Sequence, residues 1–337
     1  MASAGYSAPG REERVVVSRS ARQKTSAYGG PGWSPRLLSM GEEIGSVWAS
    51  CGLDSEWSSL RSVLLHRPGE ELAASADPSA CQMLASLEIE RARRQHDGLA
   101  GAFRNLGVDV HLVSPAGPVP PNLMFVADLL LMTPEGAIVG RPASTVRAGE
   151  ERHVARRLAD LGIPILRCVS GRGTFEGADG AWVEQDRVLL GRGLRSNTEG
   201  LAQVRSTLAE MGVEARIVDL PAGTMHLMGQ LRIVDRDLAI VWSDGVPYAA
   251  LDILRESGYR VLFLPEEAEA EAVSGMSLNF VVVAPRRVLM PAGNPQTERF
   301  YESAGTRCET VEVDELLKAA GGIGCLTGVL HREPTPG

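Results

Sequence analysis

No stretch of this chain reaches 18 consecutive apolar residues, which excludes an α-helical membrane span. It has no CxxC pair, no HExxH, no Walker A sequence and no complete GxGxxG, so the usual zinc, metalloprotease, phosphate-loop and dinucleotide signatures are missing. Cysteines are few and odd in number, five in 337 residues. That pattern suits free thiols in a reducing cytoplasm, not a disulfide framework. Basic residues are outnumbered, 34 Lys and Arg against 42 Asp and Glu, for a net charge of −8. The balance argues against nucleic acid as a partner and mildly favours a cationic ligand. What remains is an ordinary globular composition, 44% hydrophobic and 23% charged, in a length that suits one large domain or two smaller ones.

The first 46 residues are rich in Ser, Gly and Arg and lack apolar periodicity. No apolar segment follows the early arginines, so no secretory signal is read there. The stretch is expected to be a disordered tail, ahead of one catalytic domain over 47–333 and a short tail at 334–337.

From about residue 60 one unit recurs: strand, strand, amphipathic helix, strand. Short β-branched runs punctuated by Gly and Pro read as strands at 62–66, 108–113, 123–132, 137–140, 163–169, 180–184 and 188–191. The series continues at 215–220, 231–234, 238–242, 261–264, 278–283, 287–290 and 309–313. Helical spacing falls at 81–106, 148–161, 198–211, 248–257 and 296–304. A repeat of about 50 residues points to a stacked or radial architecture, whereas a doubly wound sheet would alternate single strands with helices. The extra hairpin strand in each unit predicts a propeller-like ring of α/β modules, with equivalent positions converging at its centre.

Four polar residues share one phase of this repeat: Asp128, Glu176, His226 and Cys325, at intervals of 48, 50 and 99 residues. The skipped phase falls near Met276 and Asn279. If the modules are related by rotation, these side chains meet at the axis. Together they suit a guanidinium, which is planar and cationic. Carboxylates bind it by paired, charge-assisted hydrogen bonds, a thiolate attacks its central carbon, and a histidine protonates the departing amine and then activates water. Taken singly, each residue has a plainer reading. A lone cysteine among small residues, as in Gly321-Gly322-Ile323-Gly324-Cys325, usually packs as a small hydrophobe. His226 alone reads as a satisfied core histidine. Glu176 and Asp179 suit a turn. Asp128, after the apolar run from Leu123 to Ala127, needs a partner if buried. Arg147 and Arg195 read as surface arginines or as clamps on a carboxylate.

At these residues the sequence resembles the guanidino-group modifying superfamily, which includes arginine deiminase, dimethylarginine dimethylaminohydrolase and the amidinotransferases. Pro121-Asn122-Leu123-Met124-Phe125-Val126-Ala127-Asp128 is similar to the deiminase PNLxFxxD segment, and Phe175-Glu176-Gly177-Ala178-Asp179 to their EGGD, with Ala178 for the second glycine. Met225-His226-Leu227, the Gly-rich run to Cys325-Leu326-Thr327, and 191–197 match further segments in the same order. The resemblance covers roughly 60–333. It implies a five-module α/β propeller, the pentein fold. It implies Cys325 as nucleophile, His226 as general acid and base, and Glu176 as its carboxylate partner. Asp128 would bind the guanidinium and Arg147 and Arg195 the substrate carboxylate, with Asn122, Phe125 and Asp179 also among the substrate-binding residues. No metal and no organic cofactor are expected. The partner is a small guanidino compound, and a homo-oligomer stays open.

Three readings follow. The first is hydrolysis of arginine or an N-substituted arginine through a covalent thiouronium on Cys325, giving a ureido amino acid such as citrulline and an amine. The second is amidino transfer to an acceptor amine, and the third a non-catalytic binding module. Glu176 favours hydrolysis, because amidinotransferases tend to carry Asp there. Met228 stands where deiminases and amidinotransferases usually have the Asp of His-x-Asp, as in the dimethylargininase branch, while the PNL segment resembles the deiminases.

Overall fold

The computed structural model describes residues 24–115 and 117–335. The expected N-terminal tail lies outside the described residues for its first 23 positions, as does Ala116 in the loop after residue 113. Contacts divide the chain into Met1–Glu42 and Glu43–Gly337, and all that follows concerns the second unit. No helix among the described residues is long and apolar enough to cross a membrane, and all five cysteines are free.

Among the described residues, fifteen strands form five separate three-stranded sheets, the five-module α/β propeller expected. Module two shows the plan. Strands β3 (Leu130–Thr133) and β4 (Gly136–Val139) form an antiparallel hairpin, helix α2 (Glu151–Asp160) crosses over, and β5 (Ile165–Cys168) lies parallel to β4. Module three repeats it with β6 (Gly180–Glu184), β7 (Arg187–Arg192), α3 (Thr198–Glu210) and β8 (Glu214–Asp219). Module four has β9 (Leu231–Asp235), β10 (Leu238–Val241), α4 (Tyr248–Glu256) and β11 (Arg260–Phe263). An additional helix, α5 (Glu266–Ser274), precedes module five, which is built from β12 (Val281–Ala284), β13 (Arg287–Pro291), α6 (Pro295–Ser303) and β14 (Arg307–Val311).

Module one is made from both ends of the unit. Strand β1 (Leu60–Leu65), α1 (Ile89–Asn105) and β2 (Asp109–Leu112) come first in the chain, and β15 (Gly328–Arg332) returns to pair antiparallel with β1. The sequence reading missed β15 and α5. The other differences are local. The helical spacing over 81–106 is realised as a helix only from Ile89. Gln82 has a left-handed backbone, and the Leu84 and Ala85 amides bind the Lys318 carbonyl instead. The apolar run at 123–132 is not one strand: it turns as a single 3-10 turn over Val126–Leu129 before β3 begins.

Burial orders the strands from inside to outside. Strands β3 and β4 are buried throughout, while the third strands β2, β5, β11 and β14 are largely half exposed and carry the charges that keep a sheet edge from pairing further. Middle strands such as Gly136–Val139 and Leu238–Val241 read as unbroken apolar runs because both their faces are covered.

Candidate active site

Each module's first strand is preceded by a short turn, and the turns of the five modules gather at one end of the ring. Asp128 lies in the turn Val126–Leu129 ahead of β3. Glu176 is extended just before the turn Gly177–Asp179 ahead of β6, and His226 just before Leu227–Gly229 ahead of β9. Cys325 sits in the single turn Ile323–Leu326 ahead of β15. The fifth place, ahead of β12, is held by Asn279. Local sequence dictates these approaches. A Cβ on Gly177 would lie 2.1 Å from the Leu130 carbonyl oxygen, and one on Gly324 would lie 2.7 Å from Asn279 Oδ1. Only glycine lets the Glu176 and Cys325 turns close on their neighbours.

The side chains then meet. Glu176 Oε2 lies 2.7 Å from His226 Nε2, and Asp128 Oδ1 lies 3.8 Å from the same nitrogen. Asn279 grips Cys325 twice: its Nδ2 donates to Sγ at 2.9 Å, and its Oδ1 accepts from the Cys325 amide at 3.0 Å. Arg147 Nη1 donates to Asp128 Oδ2 and, at 3.4 Å, to Glu176 Oε2. Its other edge donates to Glu150 Oε2 at 2.8 and 2.9 Å. Arg195 Nη1 lies 3.5 Å from both Glu176 oxygens. Cys325, His226, Asp128, Asn122, Phe125, Arg147 and Arg195 line one narrow pocket.

Burial makes these charges strong. It would push the His226 imidazole down, but the charges of Asp128, Asp179 and Glu176 and the Glu176 bond raise it to about 9. Burial would lift the Glu176 carboxyl, yet His226, with Arg147 and Arg195, holds it down at about 2. The two form a buried ion pair. Burial, followed by the charge of Asp128, pushes the Cys325 thiol up to about 11, against the Asn279 bond. Burial also lifts Glu150 to about 7 in spite of Arg147.

Of the residues read from sequence, two have other surroundings than expected. Arg147 was expected to hold a substrate carboxylate. Instead its guanidinium is buried and engaged by Asp128, Glu150 and Glu176, because three carboxylates within reach outcompete an exposed role. Asp179 was expected among the substrate-binding residues. It is buried away from the pocket, accepting from Ser196 Oγ at 2.6 Å and from the Leu227 amide at 3.0 Å, so it fixes the His226 segment. Asn122 reaches the pocket but spends its Nδ2 on the Cys81 carbonyl at 2.8 Å. The carboxylates and imidazole of Asp128, Glu176 and His226 are close enough to hold a metal ion, yet Arg147 Nη1 already bridges the two carboxylates with its own charge. Two residues were missed. Asn279 had a signal, since it fills the skipped phase of the repeat. Glu150 had only its spacing of three from Arg147, a common pairing distance that singles out nothing.

A second, wider cleft of about 480 Å³ shares Cys325 and His226 with the first and is lined also by Met225, Met228, Gln230, Trp242, Asp244, Val273, Met276 and Asn279.

Comparison with known proteins agrees with this geometry. The N(G),N(G)-dimethylarginine dimethylaminohydrolase of Pseudomonas aeruginosa is 26% identical over 72% of this chain and 90% of its own length. A structure of the Pseudomonas aeruginosa enzyme, with its cysteine changed to serine and citrulline bound, superposes with a TM-score of 0.67. It is 23% identical and covers 80% of this chain and 98% of the other. An amidinotransferase of saxitoxin biosynthesis from Microseira wollei shares the fold at a TM-score of 0.67 and 14% identity, over 85% of this chain and 98% of that one. The family described as N,N dimethylarginine dimethylhydrolase, eukaryotic, matches residues 77–331. With that match over the five-module ring that carries the acid, histidine and cysteine, the chain belongs to the N,N-dimethylarginine dimethylhydrolase family.

Proposed function

We propose that this chain hydrolyses an arginine methylated on its guanidino group, N,N-dimethylarginine foremost, to citrulline and the methylated amine. Membership of a hydrolase family makes it an amidine C–N hydrolase. The observation that carries the substrate reading is Asp128. Its Oδ2 is held by Arg147, while its Oδ1 is buried and has no hydrogen-bond partner. A buried carboxylate oxygen left over beside a thiol calls for a cationic N–H donor. Arg195 lines the pocket beside Glu176 and would take the substrate carboxylate. Gln82 and Met225, both exposed, line the same pocket.

In the reaction, the substrate's positive charge lowers the Cys325 thiol, whose proton leaves to solvent, and the thiolate Sγ bonds to the guanidinium carbon. The bond from that carbon to the methylated nitrogen breaks as the His226 imidazolium gives that nitrogen its proton. The thiouronium remains on Cys325. Neutral His226 then takes a proton from water, the hydroxide adds to the same carbon, and the C–S bond breaks to give the ureido product and free Cys325. Glu176 keeps the imidazole oriented and holds its positive charge. Met228 faces the cleft beside Cys325, and the apolar side chain suits methyl groups.

The test is product formation by purified protein from arginine and N-methylated arginines, with and without glycine, ornithine or lysine as acceptor, and with Cys325→Ala as blank. Citrulline from dimethylarginine without acceptor, absent in the blank, is the expected result. Product only with acceptor would overturn hydrolysis in favour of amidino transfer.

A further inference from the structure

The steps above leave one buried charge without a part, that of Arg232. It is the second residue of β9. The matching place in the first strand of modules two, three and five is Leu131, Ala181 and Val282. In β15, the strand that Cys325 leads into, it is Val329. Four modules put an apolar side chain there, and module four puts an arginine that is only 9% exposed. A guanidinium keeps its charge, and burying a charge costs stability unless it is paired. Among the described residues no carboxylate forms an ion pair with Arg232. Burial lowers it from its ordinary value. The half-buried Glu56 acts on it from farther off, with Cys325 and Tyr301 in the same sense, and Arg332 is a second buried cation nearby.

What Arg232 holds instead is the segment that grips Cys325. Its Nη2 donates to the Phe280 carbonyl, and its guanidinium carbon lies 5.1 Å from the centre of the Phe280 ring, close enough for cation–π attraction. Phe280 follows Asn279, which clamps the cysteine turn by three bonds. The Asn279 carbonyl accepts from the Gly324 amide at 3.2 Å, its Oδ1 accepts from the Cys325 amide at 3.0 Å, and its Nδ2 donates to Sγ at 2.9 Å. The Phe280 carbonyl also closes on that turn, since a Cβ on Gly324 would lie 3.3 Å from it. Arg232 is thus one residue removed from the bond to the sulfur. Burial and Asp128 disfavour the thiolate there, while the Asn279 bond, the Gly322 backbone and the charge of Arg232 favour it.

We propose that Arg232 is a positioning residue for the attack by Cys325: through the Phe280 carbonyl it fixes the Asn279 clamp, and its unpaired charge favours the thiolate over the thiol. The proposal rests on Cys325 as the nucleophile. It adds no chemical step. The thiol proton leaves to solvent as before, Arg232 keeps its own protons, and the sulfur forms the same bond to the guanidinium carbon. The charge of Arg232 opposes that of Asp128, which the substrate guanidinium neutralises only once it is bound.

The experiment compares the full chain as wild type, Arg232→Met and Arg232→Lys. Three quantities are read: the thermal melt, the rate at which iodoacetamide alkylates Cys325 in the free enzyme, followed on the Cys325 peptide by mass spectrometry, and kcat/KM for dimethylarginine against pH. Methionine keeps an apolar stem without the charge, and removing an unpaired buried charge is expected to leave the melt no lower. Arg232→Met should alkylate about tenfold more slowly at a given pH, the effect of raising the thiol by about one pH unit. Its kcat/KM should drop by a similar factor, with the fall above about 11 moved to higher pH. Arg232→Lys keeps the charge and should recover most of both losses. An unchanged alkylation rate in Arg232→Met, a falling limb left in place, or a loss in Arg232→Lys as large as in Arg232→Met overturns the proposal. So does an Arg232→Met chain that fails to fold, which would make Arg232 a packing residue. Absence of turnover in the wild type would overturn the hydrolase reading instead, and the alkylation rates would still decide whether Arg232 acts on the sulfur.

Discussion

Cys325 and His226 have to be in opposite protonation states for the first step, and the structure places them in the wrong order. Burial and Asp128 hold the thiol up at about 11, while Asp128 and Glu176 hold the imidazolium to about 9 against burial. The competent form, thiolate with imidazolium, is scarce at neutral pH in the free enzyme and increases until His226 begins to lose its proton. kcat/KM for dimethylarginine is therefore expected to rise by about tenfold per pH unit between 7 and 8.5, to level off between about 9 and 11, and to fall above that. A pH–rate profile checks this, and a flat line from 7 to 9 would mean the thiolate exists before substrate binds. Asn279 tunes the same balance through its Nδ2 bond to Sγ. Asn279→Ala should raise the thiol further, cost roughly 10–100-fold in kcat/KM across the rising limb and the plateau, as expected for losing a hydrogen bond to a charged group, and move the fall above about 11 to higher pH. The same loss of rate with the falling limb left in place would assign Asn279 a purely structural part. The residue was only half legible in the sequence. Leu278-Asn279-Phe280 carries no motif, and what marks it is the gap in a count that makes sense only once the ring closes. Arg147 was legible as important, but its partners were not, because Glu150 announces itself only when burial removes the water between them.

At the scale of elements, function rests on five short turns rather than on strands or helices. Each turn ends a connection and starts an inner strand, so the side chain just ahead of the strand points to the centre of the ring. Apolar patterning located most of these strands, since Gly and Pro bound them. It failed at 123–132, where an unbroken apolar run offers no alternation and a buried turn looks like a buried strand. It also passed over α5, whose acid-rich sequence leaves only Ala268 buried. The glycines show how tightly the turns are set. In Gly177→Ala the new Cβ would meet the Ala127 and Leu130 carbonyls at 2.4 and 2.1 Å, the backbone on either side of Asp128. The variant should lose about 1–3 kcal/mol in a urea melt, the usual cost of forcing atoms into packed space, and should lose turnover as well, because the shift separates Asp128 from Glu176. Ala178→Gly, which only restores the relatives' second glycine, should leave turnover near its starting value. Equal rates in both variants would show that the Asp128–Glu176 spacing is not critical.

At the scale of the whole molecule, the ring is closed by its last strand. Module one has only one strand ahead of its helix in the chain, and its hairpin partner arrives 260-odd residues later as β15. This is why a repeat read in chain order from residue 60 leaves the first unit one strand short. The same strand anchors the site, since Cys325 lies in the turn that leads directly into it. Arg332 on β15 is buried and donates to the Ser58 carbonyl, and the Glu333 amide donates to the Ser59 carbonyl. Beyond it, Thr335 contributes bonds to Asp54 that are part-buried. Two truncations separate closure from mere length. A chain ending at Glu333 keeps β15 and is expected to retain a cooperative melt and its turnover. A chain ending at Thr327 keeps Cys325 but leaves the antiparallel edge of β1 unpaired and its apolar residues uncovered. It should lose both the cooperative transition and activity, and its Cys325 should react with a thiol reagent as fast as the exposed Cys168. If the shorter chain still melts cooperatively within a few degrees of the longer one, the four remaining modules hold the ring without its clasp, and the position of Cys325 must depend on Asn279 alone.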